Sequence, residues 1–591
     1  MRVIKTKDRS KLIQAAMGKI PCDLTIGNVQ FLNVITGEIY PASVDILDGF
    51  VVLVREEGQE PALPAKKYYD GCGRYLIPGF IDTHVHVEST MMIPENLSRA
   101  ILPWGTTTIC TDPHEIGNVM GIEGVEFMLD NAKKSKLRQY VLAPSCVPSV
   151  PGLENAGAEF GAAEIGRLLD MDNVVGIAEI MDYVGVINDT ERMHSIIEEG
   201  VKRGMFLQGH APYCTGKELA AYLIGGPVSD HESVSEDEVR AKLRAGMHIN
   251  LRASSLIDSL SFLVDGCKDM PWRDFVSVCT DDVHAKDLLT VGHINKVVGK
   301  AIAAGLDGKE VIKLATLNAA REYGFADLGA IAPGYIADIQ LVDALDGSRP
   351  KAVFVEGELV AEDGKYLGGD SMGEAYDLPN TVNIPQLSGS DSFRLRVPEG
   401  YSGSTVTVNV MTPVPGSRIL RHVVPTELPV KDGAVDISGD ASLCFVCCAN
   451  RYGLGSKTIA VYRNFGLLTG ALASTISHDS HNLTVCYRSA DDAWLAAETL
   501  RNCGGGVCAA NNGSETHIEL PAAGLMSQKP CAEVAQDIAE VQKAVDVISG
   551  GALTLLASAI IALPVLPSVV ITDMGLVDGT TQSFVPVFAD M

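Results

Sequence analysis

From residue 75 to residue 323 the chain alternates short, apolar, β-rich runs with longer helical stretches. That order suits a parallel sheet whose strands are joined by crossover helices. The runs read as strands are 76–85, 106–111, 140–144, 174–180, 205–210, 228–231, 247–252 and 275–280. Helical stretches among and after them include 124–132, 191–202, 236–245 and 309–322. Eight such units predict an α/β fold in which a (β/α)8 barrel, the TIM-barrel form, occupies residues 76–325.

The flanks have a different texture. Residues 23–75 carry short strand-and-turn runs, and the same texture returns over 330–343 and 352–367, with turns at Pro333-Gly334, Glu356-Gly357 and Asp363-Gly364. Residues 1–75 and 326–370 are therefore expected to form one small β-sandwich-like domain into which the barrel is inserted. Beyond a Gly- and Pro-bearing stretch, residues 385–591 are expected as a separate C-terminal α/β domain. A chain of 591 residues is too long for one hydrophobic core, which fits this division. The apolar run at 552–570 contains Pro564 and Pro567 and is interrupted by Ser558 and Ser568; it reads as a buried helix followed by a strand, with no membrane span.

Charge and cysteine usage narrow the partners. Acidic residues outnumber basic ones by 74 to 47, and a net charge of -27 repels phosphate backbones, so a nucleic-acid polymer is excluded as partner. The 14 cysteines form no compact disulfide framework, and residues 1–8 have no signal-peptide character. Reduced thiols and a cytoplasmic location are expected.

The chemistry is carried by what stands at the strand ends. The first strand ends in His84-Val85-His86, and residues i and i+2 of a strand share a face, so both imidazoles point into the barrel mouth. The fourth ends in Glu179, the fifth in His210, the sixth in His231 and the eighth in Asp281-Asp282. All lie at the carboxyl ends, the face on which TIM-barrel active sites are built. Each alone has an ordinary explanation: a surface pair of histidines, a helix-capping glutamate, a solvated loop. Five strand ends together do not. Four His, one Glu and one Asp suit Zn(II), Fe(II) or Mn(II) better than copper or an iron–sulfur cluster, and a bridging Glu179 would let two ions bind.

Candidates to contact a substrate are His114 and Glu115 after the second strand, Arg252 after the seventh, and Asp282 after the eighth. For His114 and Glu115 a plain turn after Asp112-Pro113 is an equal alternative. His478-Asp479-Ser480-His481 could hold an extra metal or project into an active site; ordinary turn residues are the favoured reading.

Two motifs resemble a known family. Residues 78–86, Pro-Gly-Phe-Ile-Asp-Thr-His-Val-His, are similar to the opening metal motif of the amidohydrolase superfamily. So is the later run Ala315-Thr316-Leu317-Asn318-Ala319-Ala320 with Pro333-Gly334-Tyr335-Ile336-Ala337-Asp338. Within the superfamily, the segments 86–92, 112–119, 178–183, 279–282 and 478–482 resemble the bacterial adenine deaminases. Dihydroorotase-like and hydantoinase-like relatives carry a carboxylated lysine where this chain has Glu179.

The resemblance implies hydrolytic deamination of adenine to hypoxanthine and ammonia, in purine salvage. It implies two divalent ions, Mn(II) or Fe(II) ahead of Zn(II), held by His84, His86, Glu179, His210, His231 and Asp281. Asp281 and Glu179 would share the proton transfers, and a homo-oligomer, a dimer, is expected. The competing expectations are an amidohydrolase acting on an amide or cyclic amide, and a non-catalytic scaffold with the same fold.

Overall fold

The computed structural model describes residues 6–58, 62–255, 259–369, 376–417 and 419–589. Eight strands form the barrel: β1 (Phe80–His86), β2 (Thr106–Thr111), β3 (Arg138–Ala143), β4 (Val174–Ile180), β5 (Phe206–Gly209), β6 (Ser229–Asp230), β7 (His248–Arg252) and β8 (Val276–Cys279). Neighbours pair in parallel and in chain order. Between β5 and β6 the link is a hydrogen bond from Val228 N to Leu207 O (3.0 Å). The ring closes through Asp281–Asp282, which pair in parallel with Val85 and His86.

Strands covered on both faces need continuous burial, and β1, β2 and β7 are buried along their whole length. The outer helices bury one stripe each. In Glu191–Arg203 the stripe is Met193, Ile196, Ile197 and Gly200, spaced as a helical face requires, and Gly204 (φ 63°) ends the helix in the left-handed conformation.

The run expected as one strand over 76–85 is two. Tyr75–Pro78 belongs to the small sheet, and the chain crosses into β1 at Gly79. A Cβ at Gly79 would lie 2.2 Å from Thr107 Oγ1, so only glycine permits this approach. The small sheet runs Lys365–Tyr366, Glu358–Glu362, Ala352–Val355, Ile339–Val342, Tyr75–Pro78, Cys22–Asn33, Glu38–Leu47, Phe50–Glu56, with Ala65–Asp70 also paired to Cys22–Asn33. Segments from before and after the barrel thus share one sheet. It curls on itself, so that Tyr69 meets Phe354 edge-on with ring centroids 5.2 Å apart.

The C-terminal region is a nine-stranded mixed sheet with one helix on each face. Alternation along Leu443–Ala449 sends Cys444, Val446 and Cys448 to one face, against the helix Cys531–Ser549. Leu443, Cys447 and Ala449 go to the other face, which the helix Ala490–Cys503 covers.

The C-terminal domain is not detached from the barrel, because the first of these cores joins the two. That core is continuous with Val87, Met91, Met92 and Leu97 of the barrel. Backbone bonds cross the junction, Ser527 N to Met91 O (2.8 Å) and Ile93 N to Ser527 O (3.3 Å). The helix expected within 552–570 is also absent. Successive bonds to the third residue back (Ala557 to Thr554, Ala559 to Leu556, Ile561 to Ser558) make a string of turns, and only Val569–Ile571 is strand. Prolines 564 and 567 lack the N–H that a continuing helix needs. All 14 cysteines are free thiols. Among the described residues no helix is long and apolar enough to cross a membrane.

Candidate active site

The site is built at the carboxyl ends of the barrel strands. His84 and His86 leave β1 on one face, and their Nε2 atoms face each other at 3.1 Å. Each Nδ1 is committed elsewhere. That of His84 lies 2.8 Å from Gln208 Oε1, while that of His86 lies 3.1 Å from the carbonyl of Asp112. The Gln208 amide is oriented by its own donations to Thr83 O and Tyr323 Oη, which leaves Oε1 for His84. Both acceptors fix the proton on Nδ1, so two bare Nε2 lone pairs converge. Such an arrangement is repulsive until a cation lies between them, and imidazoles that bind a metal commonly hold their other ring N–H on an acceptor in this way.

The carboxylates complete the set. Glu179 Oε2 lies 2.5 Å from His210 Nδ1 and 3.1 Å from His231 Nε2, and Oε1 lies 3.6 Å from His86 Nε2. Glu179 therefore touches both imidazole groups, as a bridging ligand must. Asp281 Oδ1 lies 3.5 Å from His84 Nε2 and 3.3 Å from His86 Nε2. Asp281 adopts φ 61°, a left-handed conformation that is rare outside glycine and Asn/Asp, at the residue that closes the barrel onto β1. Burial opposes the charge of Glu179 and Asp281. The imidazoles around Glu179, and Arg252 with His84 and His86 around Asp281, outweigh it and hold both carboxyls well below the usual range. Both are ionised. Burial pulls His231 down to about 4, keeping it neutral.

Two family descriptions match the chain: the amidohydrolase family over residues 75–360, and the adenine deaminase C-terminal domain over 418–583. Full-length relatives agree with both. Adenine deaminase 2 of Carboxydothermus hydrogenoformans is 37% identical over 98% of this chain and 99% of its own. The adenine deaminase of Moorella thermoacetica is 37% identical over 96% of each chain. That of Klebsiella pneumoniae (strain 342) is 38% identical over 90% of this chain and 88% of its own. The chain belongs to the adenine deaminase family.

In this adenine deaminase family member the six strand-end ligand candidates all meet at one point. The second-rank residues divide. Asp282 Oδ1 accepts a short hydrogen bond from Ser89 Oγ, which also lies 3.2 Å from Glu115 Oε1. Arg252, which the sequence places beside a substrate, instead donates from Nη1 to Asp281 Oδ2 (2.7 Å) and to Glu232. It holds Asp281 in place.

His114 and Glu115 are not a free turn. They open the helix His114–Ala132 and are 3% and 1% exposed. His114 Nδ1 lies 3.2 Å from Asp112 Oδ2 and 3.6 Å from Glu179 Oε1. Burial, and then the charge of Glu115, push the neighbouring Glu88 carboxyl up to about 8.

The 478–481 run is not an ordinary turn either. The C-terminal domain carries it to the barrel mouth, where Asp479 Oδ1 lies 3.6 Å from His114 Nε2 and His481 Nε2 lies 3.8 Å from Glu115 Oε2. Sequence reasoning passed over Gln208, Asp112 and Ser89. The signal for Asp112 and Gln208 was position, since both stand at strand ends facing the same mouth as the histidines.

Proposed function

We propose that this chain hydrolyses adenine to hypoxanthine and ammonia at a pair of divalent cations held by His84, His86, Glu179, His210, His231 and Asp281. What carries the reading is the convergence of the two bare Nε2 atoms with Glu179 and Asp281, in a chain 37% identical along its length to proteins named adenine deaminase. The mixed imidazole–carboxylate set suits Mn(II), Fe(II) and Zn(II) alike and selects none by softness; Mn(II) or Fe(II) is put ahead of Zn(II) on the family resemblance. The role is purine salvage in the cytoplasm, consistent with 14 unpaired thiols.

When bound, the two cations supply Lewis acidity that brings the attacking water within reach of deprotonation at neutral pH. Asp281, ionised and fixed by Arg252, accepts the water proton and passes it to the departing amine. Glu179, ionised at rest, takes the other water proton and delivers it to a ring nitrogen. The bond from oxygen to C6 forms first and makes C6 tetrahedral, and the C6–N bond then breaks as the amine is protonated. One water proton leaves in ammonia and the other remains on the hypoxanthine ring. His114, Glu115 and Asp282 lie on the side from which the base is contacted.

The test is purification with Mn(II), without chelators, followed by ultraviolet assay of adenine loss and a separate ammonia assay. Adenosine, guanine, cytosine and dihydroorotate run alongside. Adenine turnover with stoichiometric ammonia is expected. A metal-loaded protein that leaves adenine untouched and opens dihydroorotate would overturn the proposal in favour of a cyclic-amide hydrolase.

A further inference from the structure

The segment from Ser477 to Asn482 is anchored at both ends through atoms that leave its side chains facing the barrel. His478 N donates to Ala559 O (2.8 Å), and His481 N donates to Ser477 O (2.8 Å). Tyr452 Oη holds Ser480 O, and Asn482 Nδ2 reaches across to Asn155 O in the barrel (2.7 Å). The side chains of Asp479 and His481 are 2% and 0% exposed, against His114 and Glu115.

Such deeply buried polar atoms are ordinarily hydrogen-bonded. Here they are not. Glu88 Oε2, both ring nitrogens of His114, Asp479 Oδ2 and His481 Nε2 have no hydrogen-bond partner among the described residues. His481 is also fixed in tautomer. Ser477 N donates to its Nδ1 (3.3 Å), so Nε2 carries the proton and is a buried donor aimed at the mouth. That geometry argues against reading Glu115, His478 and His481 as a third metal site, because His481 offers a hydrogen where a metal needs a lone pair.

We propose that the 477–482 loop of the C-terminal domain is a wall of the substrate pocket, and that His481 and Asp479 determine specificity by reading the ring-nitrogen edge of a free purine base. The inference rests on the adenine reading given above. With C6 and its amine at the cation pair, the far edge of adenine presents an acceptor nitrogen, N3, beside an N–H donor, N9–H. A buried imidazole N–H and a buried carboxylate are complementary to that pair. A nucleoside carries a sugar on N9 and offers no hydrogen there.

The experiment compares adenine with 9-methyladenine, which lacks only the N9–H, in the manganese-loaded full chain and in Asp479→Asn, His481→Gln and His481→Phe. The readout is the ratio of kcat/KM for the two bases, which does not depend on the fraction of folded or metal-loaded protein. The wild type is expected to favour adenine by about 100-fold or more, since a site built to hydrogen-bond an N–H rejects analogues that lack it. In Asp479→Asn that ratio should fall below about tenfold, through a raised KM for adenine, because a charge-assisted acceptor becomes a neutral one. His481→Gln, which keeps a donor, should retain most of the adenine kcat/KM that His481→Phe loses. A ratio unchanged in Asp479→Asn, or an adenine kcat/KM that is the same in His481→Gln and His481→Phe, overturns the loop's role while leaving adenine deamination standing. A wild type inert to adenine overturns the functional reading and this inference with it.

Discussion

On the side of the barrel mouth formed by β4 to β7, charged groups are paired with one another. Lys242, wholly buried, donates to Asp230 Oδ2 (2.9 Å), Glu238 Oε1 (2.6 Å) and Ala211 O (2.7 Å). Asp230 also accepts from Ala211 N (3.0 Å), so one network clips together the residues adjoining His210 and His231. Gly209 permits the same closeness, since a Cβ there would lie 2.1 Å from Ser229 O. On the facing side, built from Glu88, His114, Glu115 and the 477–482 loop, buried carboxylates and imidazoles keep unpartnered atoms. The first side keeps some too (His231 Nδ1, His248 Nε2, Asn250 Oδ1, Arg252 Nε), but its carboxylates Asp230 and Asp281 have cationic partners. A satisfied network rigidifies; an unsatisfied one is poised for something that is not protein. On the proposed reading the first side helps to hold the cations and the second meets the base.

If that division is right, substitutions on the two sides fail in different ways. The largest effect is expected from Glu179→Gln, which removes the carboxylate shared by both imidazole groups. Turnover should fall by about 10^3-fold or more, toward the upper range for loss of a proton-transfer group. Bound manganese, measured by atomic emission, should fall with it; full metal content with full turnover would detach Glu179 from the site. Next comes Lys242→Met. Leaving Asp230 and Glu238 buried without their cation should lower unfolding stability by about 3–5 kcal/mol in a denaturant melt. A change below 1 kcal/mol, roughly the worth of an exposed pair, would show that this network is not the clip described.

The strand ends were the legible part. There a period of two and the rule that barrels build sites at their carboxyl ends turn residue type directly into position. To place His84, His86, Glu179, His210, His231 and Asp281 at the mouth needed nothing more. Even β6, only Ser229–Asp230, falls within the short run 228–231 read as a strand. The unpaired side depends on contacts between residues far apart in sequence. Nothing local to His478-Asp479-Ser480-His481 states that a shared core with Met91, Met92 and Leu97 will bring it over the barrel. The sheet switch at Gly79 and the turns within 552–570 escaped for a similar reason. An apolar run reports burial, and the neighbour that buries it is chosen in three dimensions.

A finer contrast comes from Gln208→Leu, whose expected effect is smaller still. Without Oε1, His84 loses the acceptor that fixes its tautomer, and manganese affinity measured by chelator competition should weaken by about 10- to 100-fold. Adenine KM at saturating metal should barely move. Ser89→Ala is the counterpart on the facing side, where Ser89 Oγ binds Asp282 and lies 3.2 Å from Glu115. One hydrogen bond to a carboxylate is removed, so adenine kcat/KM should fall by about tenfold, the low end for a charge-assisted bond, with chelator competition unchanged. If Ser89→Ala released metal instead, the two sides would be a single network, and the unpartnered atoms around Glu115 would have to be read as part of the cation site.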